Sequence, residues 1–350
     1  MPILESPYAR LDLVRQPEQP NEPLQAFDAA DEYLLAQLHE QGLAATTRVL
    51  ILNDSFGALA CALAQHVEVT SSGDSHLAHL ALEKNLQRNA LADDAVTFVP
   101  ASEVAQGPFD RVLIRVPKTL ALLEEQLIRL HGQLAPGAQV IAAAMIKHLP
   151  RAAGDLLEKY IGPVQASLAV KKARLLTATP VDKPVPHSPY PTRYRLDQPA
   201  LELLNHANLF CREDLDIGTR AFLPHLPKAL GNLRAADLGC GNGVLGIVYA
   251  LGNPQAQMTL VDESYMAVQS ARENWQALKA NLSMAAPYLN QALGSALSAG
   301  ISISLRDLPL SILDPEIVTR LGSADAKQPR TGDVLEAAST ELFRFVGSGT

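Results

Sequence analysis

The chain is poor in the residues that mark a disulfide scaffold, a metal centre or a membrane span. It has three cysteines, Cys61, Cys211 and Cys240, in 350 residues. They are scattered, with neither metal-ligand spacing nor disulfide arithmetic, so a reducing cytoplasm is expected and a resident metal is not. No run approaches the roughly 18 consecutive apolar residues of a membrane span. The opening MPILESPYARLDL lacks the basic start and apolar core of a secretory signal, so no membrane partner is expected. Positive charge is also short: 29 Lys and Arg against 37 Asp and Glu leave a net −8. That balance excludes a uniformly basic nucleic-acid binder.

What the chain does have is length and an uneven distribution of charge. Its 350 residues, 47% hydrophobic and 19% charged, accommodate two globular domains of ordinary size. Residues 111–190 carry 11 Lys and Arg against 5 Asp and Glu, while residues 1–110 carry 5 against 16. The basic stretch includes Arg111, Arg115, Lys118, Lys147, Arg151, Lys171, Lys172 and Arg174. It could neutralise phosphates or form an ordinary solvated surface. Between Pro180 and Pro199 six prolines interrupt helical and strand periodicity, so 180–199 reads as a linker. Strands and helices alternate on either side of it, the pattern of a doubly wound parallel sheet.

The ten residues Asp237 to Gly246, DLGCGNGVLG, end an apolar stretch and open an amphipathic helix. Gly239, Gly241 and Gly243 fall at alternate positions, where the absence of a Cβ lets the backbone curl tightly and a ligand approach closely. Dinucleotide folds use G-x-G-x-x-G, and here Val244 stands at the last position. The G-x-G-x-G form, with Asp237 two residues earlier, resembles the first motif of S-adenosylmethionine-dependent methyltransferases. Met258-Thr-Leu-Val261 then reads as a short buried strand ending in Asp262-Glu263-Ser264. A carboxylate at that strand's tip can accept hydrogen bonds from both ribose hydroxyls; Asp262 is the better placed and Glu263 the reserve.

The two halves echo each other. Leu52, Gly57 and Leu59 fall on Leu238, Gly243 and Leu245, and Glu83-Lys84-Asn85 falls on Arg272-Glu273-Asn274. In the first copy Asn53 and Ser55 replace two loop glycines, and Gly73 stands where the ribose carboxylate should be. Loss of both features argues against a cofactor there and for scaffolding or substrate binding. Phe27, Ala30, Leu34 and Leu38 share a helical face that Asp28 or Asp31 could start, and Val268, Ala271, Trp275, Leu278 and Leu282 form a stripe after Ser264. The single tryptophan is therefore expected in a core.

From Leu11 to about Leu278 the chain resembles the ribosomal RNA large subunit methyltransferase G family, guanine-N(2) methyltransferases with tandem methyltransferase-like domains. The strings that carry the resemblance are PLQAFDAADEYLL (23–35), VLILNDSFGAL (49–59), RVPKTLALLEEQL (115–127), KKARLL (171–176), NHANLFCREDLDIGTRAFLPHLP (205–227) and the two motifs above. The resemblance implies two tandem Rossmann-like α/β sheets of class I methyltransferase type. A degenerate domain at 1–179 would help hold 23S ribosomal RNA, and 200–280 would bind S-adenosyl-L-methionine. Asp237, Gly239, Cys240, Gly241, Asn242 and Gly243 would hold the cofactor's amino-acid end, and Asp262 its ribose. Asp216, Gly218 and Thr219 would lie along the cofactor's edge, although by themselves they also read as a polar connector with a tight turn. Lys118, Lys171, Lys172 and Arg174 are candidate phosphate contacts, and a cytoplasmic monomer is expected.

Enzymes of that type place an N-P-P-[FY] or D-P-P-[FY] loop after the fourth strand, where it accepts the amine protons and stacks on the flipped-out base. This sequence has no such loop, and no catalytic residue can be named. Spacing carried over from the first half lands on Leu305-Arg-Asp-Leu-Pro309, and Asp314-Pro315-Glu316 reads as a helix start. The composition turns Ala/Ser/Leu-rich after Lys279, as a frameshift, fusion or junction near 280 would make it. The tail at 281–350 is thus foreign to the family and the second sheet is expected to be incomplete. The alternative to an active enzyme is a catalytically silent RNA-binding or partner-binding remnant.

Overall fold

The computed structural model describes residues 3–19, 22–285 and 300–305. The chain divides into two compact units, Met1–Tyr190 and Pro191–Thr350.

The first unit opens with an antiparallel pair, β1 (Ile3–Glu5) and β2 (Arg10–Asp12), followed by α1 (Ala29–Gln41). The sequence allows either Asp28 or Asp31 to start α1, and both are used. Asp28 accepts from Ala30 N at 2.8 Å while Asp31 accepts from Asp28 N at 2.9 Å, closing a reciprocal capping box. There follow β3 (Arg48–Leu52), α2 (Ala58–Leu63), β4 (Glu68–Gly73), α3 (His76–Arg88) and β5 (Val96–Pro100). After them come β6 (Phe109–Arg115), α4 (Leu120–Arg129), β7 (Leu134–Met145), α5 (Arg151–Tyr160), β8 (Val164–Ala166) and β9 (Ala173–Ala178).

Strand alternation builds two cores, one on each face of a single sheet ordered β5-β4-β3-β6-β7-β9-β8. Val49, Ile51, Leu113 and Ile141 face α1, α2 and α3 through Leu34, Leu59 and Leu86. Leu50, Leu52, Val112 and Val140 face α4 and α5 through Leu123 and Leu157. Strands β3 to β7 run parallel and β9 runs antiparallel to β7. The order reverses between β3 and β6, the switch point outside whose carboxyl ends an open α/β sheet takes its ligand.

The second unit begins inside the stretch that reads as a linker. Thr192–Leu196 is a strand, β10, paired antiparallel with β11 (Leu201–Asn205). The prolines before it mask a strand whose partner lies beyond Pro199, so only about its first half is irregular. Next come α6 (Ile217–Phe222), β12 (Arg234–Leu238), α7 (Val244–Gly252), β13 (Gln257–Asp262), α8 (Tyr265–Ala285) and β14 (Gly300–Leu305). Ser264 caps α8, its Oγ accepting from Ala267 N at 3.0 Å. Trp275 is buried with Val244, Ile247 and Ala250. Among the described residues the second sheet has three parallel strands in the order β12-β13-β14.

That order moves the fourth strand away from where spacing places it. By pairing, β12, β13 and β14 match β3, β4 and β5, so Leu305 ends an outer strand and not the fourth one. The counterpart of β6 would pair on the other side of β12, where the described residues supply no strand. Residues 306–309 and 314–316 lie outside the described residues.

Candidate functional site

All three alternate glycines of the second unit adopt the left-handed backbone that disfavours a side chain, with φ of 71° at Gly239, 54° at Gly241 and 83° at Gly243. Their surroundings differ. A Cβ on Gly243 would stand 3.0 Å from both Ala271 and Leu260, and one on Gly246 would stand 2.9 Å from Leu260. These two glycines seat α7 against β13 and α8. A Cβ on Gly239 or Gly241 would meet no atom within 4 Å. The outer ledge of the loop is therefore bare backbone facing open space, a cradle suited to a close-lying ligand.

The loop is held from behind. Gly239 N and Cys240 N both donate to Val261 O, at 2.8 and 3.0 Å. Asp262, at the tip of β13, reaches back so that Gly241 N donates to its Oδ2 at 2.9 Å, while Ser264 N donates to Oδ1 at 2.9 Å. The strand-tip carboxylate and the glycine ledge are thereby adjacent. Glu263 follows it, exposed.

Asp237, the second-last residue of β12, lies beneath the loop and accepts from Gly246 N at 3.0 Å. Burial pushes its carboxyl up to about 6; the Gly246 bond opposes that shift and the nearby Asp262 charge adds to it. Cys240 is buried, and desolvation pushes its thiol up, which suits packing and not nucleophilic work.

Asn242 turns inward. Its Nδ2 donates to Tyr194 Oη and Asn205 Oδ1, both at 2.8 Å, its Oδ1 accepts from Val244 N at 3.1 Å, and its carbonyl accepts from Asn274 at 2.9 Å. The side chain thus stiffens the loop and leaves only backbone for a ligand. Sequence reasoning misses Tyr194 and Asn205 as site residues, since nothing local in β10 and β11 points to a loop 37 residues or more away. His206 is anchored by Ser270 and Glu273, as a structural histidine would be.

Asp216 caps the short α6, its Oδ2 accepting from Thr219 N at 2.9 Å, and Gly218 lies in that first turn. Leu215 and Leu223 on either side pack against the core around Val244 and Ile247. Among the described residues no group of three or more His, Cys, Asp or Glu is placed to hold a metal, and no helix is long and apolar enough to cross a membrane.

The corresponding crevice of the first unit is filled by its own side chains. Asn53, at φ 65°, keeps the backbone of the glycine it replaces, but its amide pairs reciprocally with Gln126 at 2.8 and 2.9 Å. Asp54, buried in the loop, accepts from Ala58, Leu59 and Ala60 N at 2.9–3.0 Å and so occupies the start of α2. Arg115, at the carboxyl end of β6, forks onto Asp28 at 2.8 and 2.9 Å and reaches Asp31 at 2.7 Å. Burial alone would raise Asp28, but the guanidinium holds it below the usual range. Asp31 is the more enclosed: burial pushes it up to about 7 against the pull of Arg115. Asp28 and Asp31 share the Arg115 cation, and burial favours the protonated form of Asp31.

The basic stretch is also sorted by the fold. Arg115 is committed to this cluster, and Arg111 lies half-buried early in β6. Lys118, Lys171 and Lys172 are exposed, Lys171 bonding Glu32 at 2.7 Å, and Arg174 is half-buried in β9.

Two domain families match the chain, the RLMG N-terminal domain over residues 1–182 and the methyltransferase small domain over residues 200–296. A ribosomal RNA large subunit methyltransferase G from Stutzerimonas stutzeri is 88% identical over 278 residues, covering 79% of this chain and 74% of the relative. A protein of the same name from Pseudomonas aeruginosa PAO1 is 77% identical over 277 residues, with the same shares covered. Among solved structures, a T. thermophilus 16S rRNA N2 G1207 methyltransferase in complex with AdoMet and guanosine superposes with a TM-score of 0.59 at 18% identity. It covers 79% of this chain and 72% of its own.

Proposed function

The chain belongs to the ribosomal RNA large subunit methyltransferase G family, and on that footing we propose that it binds S-adenosyl-L-methionine on its second unit for transfer to a guanine exocyclic amine of 23S ribosomal RNA. The observation that carries the reading is the pairing of the bare glycine ledge with Asp262, joined by the 2.9 Å bond from Gly241. When bound, the cofactor supplies a methyl group on a positively charged sulfur.

The chain's own residues bind and orient. Gly239, Cys240 and Gly241 offer backbone to the amino-acid end, with Gly243 seating the helix behind them, Asp237 fixing the turn from below and Asn242 from behind. Asp262 accepts from the ribose hydroxyls, with Glu263 beside it, and Asp216, Gly218 and Thr219 border the edge. Lys118, Lys171, Lys172 and Arg174 of the first unit contact RNA phosphates. Transfer between two substrates so held depends chiefly on alignment.

A second reading, a catalytically silent RNA-binding remnant, is favoured by one observation. The chain contains no two consecutive prolines anywhere, and so no N-P-P-[FY] loop to receive the amine protons. A methylation assay on unmodified 23S ribosomal RNA with labelled cofactor separates the two. Label in a guanine base supports the enzyme. Saturable binding of cofactor and RNA with no label in the RNA supports the remnant.

A further inference from the structure

The topology of the first unit gathers at one edge cations that the sequence scatters over 55 residues. Lys118 follows the carboxyl end of β6, and Lys147 follows that of β7. Arg151 opens α5 as that helix turns back from the same edge. Strand β9 runs antiparallel with Ala173 opposite Met145, so its first residues stand there too. Lys172 O accepts from Ile146 N at 2.8 Å, which fixes Lys172 beside the turn that carries Lys147.

Two further observations set this edge apart. Val170 and Ala173 exchange backbone hydrogen bonds of 2.7 and 2.9 Å around a two-residue turn, with Lys171 at φ 47° and Lys172 at φ 65°. Such turns normally take Asn-Gly, because a Cβ disfavours the left-handed backbone. Lysine persists at both positions, a strain of the kind that marks functional sites. Three acids beside this edge are engaged: Glu32 with Lys171, and Asp28 and Asp31 with Arg115. Lys118, Lys147, Arg151 and Lys172 are all exposed.

We infer that the carboxyl edge of the first sheet, from β6 to β9, is the surface that carries the phosphodiester backbone of the RNA, with Lys118, Lys147, Arg151 and Lys172 as its cations. The duplicated nucleoside crevice at the switch point is closed by Asn53, Asp54 and Arg115, and the adjoining edge takes a polyanion instead. Lys147 and Arg151 are new to this surface; Lys171, bonded to Glu32, and the half-buried Arg174 lie at its margin. The inference rests on the reading of RNA as the substrate.

The test uses the full chain and an unmodified 23S ribosomal RNA transcript, with binding measured from about 50 to about 200 mM salt. Wild-type chain must first show affinity that falls with salt; if it binds no RNA, the substrate reading and this surface fail together. Given binding, K147A/R151A/K172A should flatten the slope of log affinity against log salt by about two to three, near one for each phosphate no longer neutralised. The charge-preserving K147R/R151K/K172R should keep the wild-type slope, which separates charge from folding. A neutralised variant that binds with the wild-type slope overturns the surface alone. So does an equal loss in R10A/K84A, whose cations lie elsewhere on the unit.

Discussion

Asn85 and Asn274 make the same three hydrogen bonds in the two units. Asn85 closes on Val14 through both N–H and C=O at 2.9 Å and donates to Phe56 O at 2.8 Å. Asn274 closes on Leu204 at 2.7 and 3.0 Å and donates to Asn242 O at 2.9 Å. Phe56 and Asn242 are the residues just before the equivalent helix-starting glycines, Gly57 and Gly243. Each asparagine ties its unit's leading segment to its nucleoside-type loop, so the duplication extends from sequence to hydrogen bonding.

Removing either amide strands three backbone groups, all buried for Asn274 and two of them buried for Asn85. Asn85→Ala and Asn274→Ala should each lower the stability of their own unit by about 2–4 kcal/mol. The single tryptophan, Trp275, is buried in the second unit. Its fluorescence melt should shift for Asn274→Ala and stay unchanged for Asn85→Ala.

The glycines should separate into two kinds. Gly243→Ala combines left-handed strain with contacts of 3.0 Å to Ala271 and Leu260, and should destabilise the second unit by about 2–4 kcal/mol. Gly241→Ala faces open space and should cost about 1–2 kcal/mol of strain. Its larger effect should be on cofactor affinity. Trp275 melting and calorimetric titration on the same samples read the two effects separately.

Asp237 predicts a pH dependence. Its carboxyl is raised to about 6 in the folded chain, so the folded state holds the proton more tightly than the unfolded one. The stabilising contribution is complete below the ordinary value near 4 and is lost as pH rises through about 6. Asp237→Asn should flatten the Trp275-monitored stability curve across that window, by up to about 3 kcal/mol between its ends.

The first unit should resist restoration. Asn53→Gly with Gly73→Asp returns a loop glycine and the strand-tip carboxylate but leaves Asp54 on the start of α2 and Arg115 bound to Asp28 and Asp31. Calorimetry with S-adenosylhomocysteine should still give a single site per chain; two sites would show that the crevice is not closed.

The glycine loop, the strand-tip Asp262 and the duplication are legible in the sequence because each is a short local string or a pair of them. The cap at Asp28 and the burial of Trp275 follow from helical periodicity in the same way. The filling of the first crevice is not legible, since Asn53–Gln126 and Arg115–Asp28 join residues more than 70 positions apart. Spacing misplaces the fourth strand because α8 spans 21 residues where α3 spans 13, so positions after Asn274 no longer correspond. Lys147 and Arg151 join Lys118 and Lys172 only once β7 and β9 are paired.

If the bare glycine ledge and Asp262 together hold the cofactor, losing the strand-tip charge should weaken binding without unfolding the unit. Calorimetric titration of S-adenosylmethionine into the wild-type chain and Asp262→Asn, with Trp275 melting to confirm folding, tests this most directly. The wild type should bind one equivalent. The variant should bind at least about tenfold more weakly, a loss of about 1.4 kcal/mol or more. No saturable binding by the folded wild type, or equal affinity in the folded variant, would contradict that role for the pair.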